Sequence, residues 1–185
     1  SLYALEYAVF GLSPTAFHGS NVLWHAAACV LVWLLSVRLI PTPGATRWGL
    51  FIACLGFAVH PLHTEVVNVV SYRSDLVAAV ATLAVLLCWL GVGPKRSDGS
   101  ARRGVYLWAP LFYALGLGAK EMAVTAILLV GLLDVLHPPR RMRWADRLLR
   151  LAPMLVVCVG YLWVRSLLLE PSSYSYFGDE GTAVI

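Results

Sequence analysis

Five ionisable residues crowd into sixteen positions of an otherwise apolar stretch: His60, His63, Glu65, Arg73 and Asp75, within "FAVHPLHTEVVNVVSYRSDLVAA" (57–79). Several kinds of chemistry suit those residue types. Histidine and carboxylate side chains can ligate a metal. Here, however, the spacing is H-x-x-H-x-E across a proline-started turn, unlike the i, i+4 pair of H-E-x-x-H, and no further ligand is evident nearby. No metal is expected. The same groups can hydrogen-bond a hydroxylated substrate, with His60, His63 and Asn68 as candidate contacts. Carboxylates such as Glu65, Asp75 and Glu121 can support general-base chemistry on a hydroxyl.

Cations at the start of a helix hold anions, because unpaired amides and the positive helix end already attract them. Arg73 and Lys120 each open a predicted helix, which makes them candidates for a phosphate site. The competing reading is local neutralisation, of Arg73 by Asp75 and of Lys120 by Glu121. His18, Asn21 and His25, spaced 3 and 4, share one helix face. His18 is a further substrate contact in this reading, while the deeper His25 bonds another helix.

Composition decides what surrounds these groups. The chain of 185 residues is 59% hydrophobic and 13% charged, with a mean hydropathy of +0.75. A soluble domain has no use for so much apolar surface, so an all-α, polytopic membrane bundle is expected. The four cysteines all lie in apolar runs and form no C-x-x-C pair, which makes them small core residues. From the start at Ser1, without a basic n-region or cleavage site, an internal fragment is expected.

Apolar runs predict helices over about 17–39, from Trp48 to Pro61, over 75–92, and over 151–169. The stretch 105–136 divides into two short helices turning at "GLGAKE". That makes six passes. If they alternate, eleven of the fourteen Lys and Arg residues fall on one side (Arg38, Arg47, Lys95, Arg96, Arg102, Arg103, Arg140, Arg141, Arg143, Arg147 and Arg150). The net charge of +4 then marks cytoplasmic loops, and no nucleic-acid partner is expected. The candidate residues gather on the other side as an outward-facing polar layer, together with the tail "EPSSYSYFGDE". Glu65, Asn68, Tyr72 and Asp75, spaced 3, 4 and 3, share one face if 65–75 is a continuous helix. A solvated interfacial connector is the plainer alternative. Asp134 and His137 are expected to pair with the basic loop at the opposite end, and Trp48, Trp144 and Trp163 to mark membrane interfaces.

Four ordered segments carry a resemblance: "FHGSNVLWHAAACVLV", "FAVHPLHTEVV", "SYRSDLVAA" and "GLGAKEMAVTAILLVGLLDVL". They resemble the membrane domain of the TMTC-like proteins (transmembrane and tetratricopeptide-repeat containing), in patterns of the type F-H-x-x-N, H-P-x-H-x-E and R-x-D-L. Ala119 departs from the family, where a serine often precedes the lysine. The resemblance implies a GT-C-type glycosyltransferase related to protein O-mannosyltransferases. Residues 1–185 would be part of its membrane domain, lacking the first outer loop with its catalytic carboxylates and the later repeats.

Such an enzyme moves a sugar from a polyprenyl or dolichyl phosphate to a protein Ser or Thr hydroxyl outside the cytoplasm. Membrane lipid, the lipid-linked sugar and a protein acceptor are then its partners, without a tightly bound cofactor. Arg73 and Lys120 would meet the donor phosphate. A bacterial inner membrane suits the short arginine-rich loops, or the endoplasmic reticulum membrane in a eukaryote. The alternatives are a transporter, disfavoured by the nearly bare helix middles, and a non-catalytic scaffold.

Overall fold

The computed structural model describes residues 2–40, 46–91, 100–136 and 144–168, and those residues contain helices and no strand. Helix α1 (Leu2–Phe10) ends at Gly11, whose φ of 58° closes the helix in the left-handed region that glycine enters without a Cβ clash. Ser13 then caps α2 (Pro14–Leu39), its hydroxyl accepting from the Ala16 amide, with Pro14 as the first residue. Helix α3 (Thr46–Ala58) stops short of Pro61, and α4 (Leu62–Asn68) leaves it at a bend of 54°.

A single-turn 3-10 segment (Val70–Tyr72) leads into α5 (Arg73–Trp89). After α6 (Ser100–Ala119), Lys120 takes an extended backbone, followed by a 3-10 segment (Glu121–Thr125) and α7 (Ala126–Leu136). Helix α8 (Trp144–Leu168) is the last described element. Its Pro153, and Pro110 within α6, are tolerated as prolines are in membrane helices, where neighbouring groups re-satisfy the freed carbonyls.

Each of the six predicted segments is helical, and the turn expected at "GLGAKE" is there. Among the described residues, three helices are long and apolar enough to span a membrane, namely Pro14–Leu39, Val70–Trp89 and Arg147–Leu168, or four if the bent pair α3–α4 is one span. At 1.5 Å per residue, the 11 residues of α7 make only about 16 Å, against a hydrocarbon core of about 30 Å. With these helices, the chain is an integral membrane protein.

Helix α5 is the hub. In its apolar stretch 44% of residues are buried, against 6% in the apolar stretches of α2 and of α8, so α5 is the most enclosed of the three while the other two keep wide open apolar faces. Val85, Leu86 and Trp89 of α5 pack with Tyr113 and Leu117 of α6, Val130 of α7 and Met154 of α8. The approach of α6 depends on Gly116. A Cβ there would stand 3.0 Å from the Ala123 Cβ and 3.2 Å from the Ala81 Cβ, so only glycine lets α6 close on α5 and on the segment after Lys120.

One expected continuity fails. Val69 is extended (φ −93°, ψ 117°), which separates α4 from α5. Glu65, Asn68, Tyr72 and Asp75 therefore do not line one unbroken face. Of the four, Glu65 and Tyr72 meet, the phenol donating to the carboxylate at 3.2 Å.

Candidate functional site

Among the described residues, the charged side chains of one end of the bundle form three ion pairs, and each reaches between elements instead of to a sequence neighbour. Arg73, in the first turn of α5, pairs with Glu6 of α1. Two residues on, Asp75 accepts from the Lys120 ammonium at 2.5 Å. The adjacent Glu121 accepts from Arg165, in the last turn of α8, at 2.8 Å. The local pairs of the competing reading, Arg73 with Asp75 and Lys120 with Glu121, give way to these longer-range ones. Successive residues at a helix start point away from each other, and partners on adjacent helices lie in the open directions.

Exposure grades along this series. The Arg73 side chain is 1% exposed and Glu6 16%; Lys120 and Asp75 are 34% and 33%; Arg165 and Glu121 are 39% and 61%. Arg73 spends its planar fork on the protein: Nε donates to Asn21 Oδ1 at 2.9 Å and an Nη to the Phe17 carbonyl at 2.7 Å. Its guanidinium also stands 5.3 Å from the Phe17 ring centre. Asn21, fully buried, turns its amide to the Val67 and Val69 carbonyls, and Ser20 donates to Glu6 at 2.6 Å. This knot joins α1, α2, the end of α4 and α5. Arg73, expected at a phosphate, is enclosed by its own chain. Glu121 is at the other extreme: the hydrogen bond from Arg165 holds its carboxyl below the usual range.

The histidines divide by place. His25 Nε2 donates to the Ala58 carbonyl at 3.0 Å, which ties α2 to the end of α3. His63 lies beside it with ring centres 5.0 Å apart, against Phe57 at 4.5 Å and with His60 at 6.1 Å. His60 Nδ1 accepts from the Leu62 amide and so shapes the start of α4. Both His60 and His63 thus sit at the α3–α4 bend, His60 exposed and His63 half-buried. His18, Asn68 and Glu65 are exposed, on α2 and α4.

At the opposite end the Asp134 carboxylate accepts from the Trp89 indole at 2.7 Å, and Arg147 donates to the Asp134 backbone carbonyl at 3.5 Å; the rest of the basic loop expected to pair with it lies outside the described residues. Arg150 stacks over Trp89 at 4.4 Å and bonds its carbonyl, while Arg38 bonds the Gly91 carbonyl, so cations close the C-terminal end of α5. Lys95, Arg96, His137, Arg140, Arg141, Arg143 and the tail from Glu170 lie outside the described residues, as do the side chains of Arg102, Arg103 and Trp144.

Sequence reasoning missed Glu6, although it is the only acid before Phe17 and lies in an apolar run. It also missed that Arg165, which is not among the eleven basic residues assigned to the opposite side, returns to the same charged end.

No family model matches the chain, and no solved structure matches it. Protein relatives do. The Drosophila melanogaster protein O-mannosyl-transferase Tmtc2 is 39% identical over 137 residues, covering 73% of this chain and 14% of its own length. Drosophila Tmtc1, also a protein O-mannosyl-transferase, is 35% identical over 139 residues (75% and 15%), and human TMTC2, with the same description, 34% over 133 residues (72% and 15%). The chain is a TMTC-like membrane segment, related to protein O-mannosyl-transferases. It spans about 15% of the length of these relatives.

Proposed function

We propose that this chain is part of the membrane domain of a glycosyltransferase that moves a mannosyl residue from a polyprenyl or dolichyl phosphate to a protein Ser or Thr hydroxyl on the extracytoplasmic side. The observation that carries the reading is the 39% identity to a protein O-mannosyl-transferase over 73% of the chain. In this reading the chain crosses the membrane six times, with the basic end cytoplasmic. The end holding the three ion pairs faces outwards.

Lys120 is the donor-phosphate residue, because its ammonium is one-third exposed and has donors to spare beyond Asp75. Arg73 acts at one remove, fixing the first turn of α5 from which Asp75 reaches Lys120. His18, His60, His63 and Asn68 lie on the acceptor side. Glu65, Asp75 and Glu121 support them, and the general base comes from elsewhere in the full-length enzyme. A phosphate-headed donor needs a cation at the membrane boundary, and inverting transfer needs a carboxylate near the incoming hydroxyl.

A chimaera tests the reading. The aligned segment of Drosophila Tmtc2 is replaced by this chain, and acceptor glycopeptides are read by mass spectrometry. Mannosylation retained by the chimaera and lost on Lys120→Ala supports the proposal. A folded, membrane-inserted chimaera whose mannosylation is indifferent to Lys120 rejects it.

A further inference from the structure

A groove of about 390 Å³ runs along α5 from the charged end. Its floor is one face of that helix, Asp75, Ala79, Thr82 and Leu83, related by helical spacing. Val32 of α2, Phe57 of α3, and Met122, Ala123 and Thr125 of the segment after Lys120 also line it. Charge is confined to one end, where Asp75 holds Lys120. From there the floor continues for about 12 Å; beyond the charged end the polar side chains of the lining are Thr82 and Thr125, and the Thr125 hydroxyl already donates to the Met122 carbonyl at 2.8 Å.

A free sugar or a peptide would need polar partners distributed along such a groove. An anionic head on a hydrocarbon chain needs them at one end alone. The groove belongs to a helix with a membrane-spanning apolar window, so its long axis lies at hydrocarbon depth with the charged end at the boundary. Ala79 is exposed on the floor, where a larger side chain would fill the space. The head group also has a ready cation. Lys120 has one carboxylate partner, both are about one-third exposed, and a phosphate offers the same ammonium more acceptor oxygens.

We propose that this groove seats the hydrocarbon chain of a phosphate-headed lipid whose phosphate takes Lys120 from Asp75. The proposal rests on the lipid-phosphate reading above and adds where the chain lies and which internal contact the head group replaces. Ala79 and Thr82 then set the fit of the chain, and Asp75 is the head group's competitor.

The test uses the whole chain in zwitterionic lipid nanodiscs and three probes: a polyprenyl phosphate with a diazirine in its chain, the matching polyprenol, and dimethylallyl phosphate as a head with almost no chain. The phosphate probe is expected to label residues 75–83 or 122–125, and the polyprenol far less. Ala79→Phe should cut that labelling about tenfold, the equivalent of two buried methylenes lost, and leave dimethylallyl phosphate binding unchanged. Thr82→Leu, checked by melting, narrows the same space and should act in the same direction. Lys120→Gln should abolish binding of both phosphates, whereas Asp75→Asn should strengthen it severalfold by removing the competitor.

Equal labelling by polyprenol overturns the proposal, since the groove then takes any hydrocarbon. So does labelling untouched by both groove variants, or absent from the groove while dimethylallyl phosphate still binds through Lys120. In those cases the lipid-phosphate reading survives. It falls separately if neither phosphate binds, or if both bind Lys120→Gln as well as the parent.

Discussion

Arg73 and Lys120 look alike in the sequence, each a cation at the start of a helix beside a carboxylate, yet the fold gives them opposite situations. Arg73 is enclosed by Glu6, Asn21 and Phe17 and is 1% exposed. Lys120 is 34% exposed, with one carboxylate partner and a groove beside it. The difference teaches that burial, not charge or helix position, separates a cation that holds helices together from one that can exchange its partner. Removing a buried partner strands a charge, whereas an exposed pair contributes little.

The largest test of this contrast is Arg73→Ala, which leaves the half-buried Glu6 with the Ser20 hydroxyl but without its cation and should cost about 3 kcal/mol, read as a fall in the unfolding midpoint in detergent. Arg73→Lys should recover little of it, because an ammonium cannot reproduce the fork that meets Asn21 and the Phe17 carbonyl together. A mild effect of both would place Arg73 in the same class as Lys120.

Asn21→Ala and Gly116→Val come next, at about 1–3 kcal/mol each for different reasons. The first removes the acceptor of the Arg73 Nε and the donor to the Val67 carbonyl, while the Val69 carbonyl keeps the Tyr72 amide. The second forces α6 off Ala81 and Ala123, and should also disturb Lys120 by shifting the turn that carries it. Hydrogen exchange should show loosening around α4 for Asn21→Ala and around 119–126 for Gly116→Val. The opposite assignment would undo the link between each contact and its pair.

Lys120→Ala should change stability by less than about 1 kcal/mol, since Asp75 is left one-third exposed in the first turn of α5, where a carboxylate is favoured. A loss comparable to that of Arg73→Ala would make Lys120 structural. The smallest effect belongs to Glu121→Gln. Because Arg165 lowers the Glu121 carboxyl, the pair's contribution is present above the ordinary carboxylate range and fades as pH falls below it. Melting curves of the parent and Glu121→Gln should therefore coincide in acid and differ slightly at neutral pH. A difference that instead grows in acid would reverse the sign.

Much of the frame was legible because its signals are local. Apolar runs, Pro61 and the glycines before Lys120 mark where helices run and turn, and Ser13–Pro14 is a helix start that the fold uses. The extended residue Val69 was not legible, since its β-branched neighbours disfavour a helix only slightly and no glycine or proline marks the break. Nor was the choice of partners. Glu6 meets Arg73 across 67 positions and Glu121 meets Arg165 across 44, distances set by how helices pack. The charged end could therefore be read as a set of residue types, while the sorting into knot, exchangeable pair and surface pair required the three-dimensional arrangement.

The most direct measurement is binding of a short-chain polyprenyl phosphate on the same samples used for melting, with Lys120→Ala and Arg73→Lys beside the parent. The account predicts that Lys120→Ala melts like the parent and no longer binds, while Arg73→Lys melts lower and still binds below its midpoint. Lys120→Ala that binds like the parent, or Arg73→Lys that loses binding while folded, would contradict it.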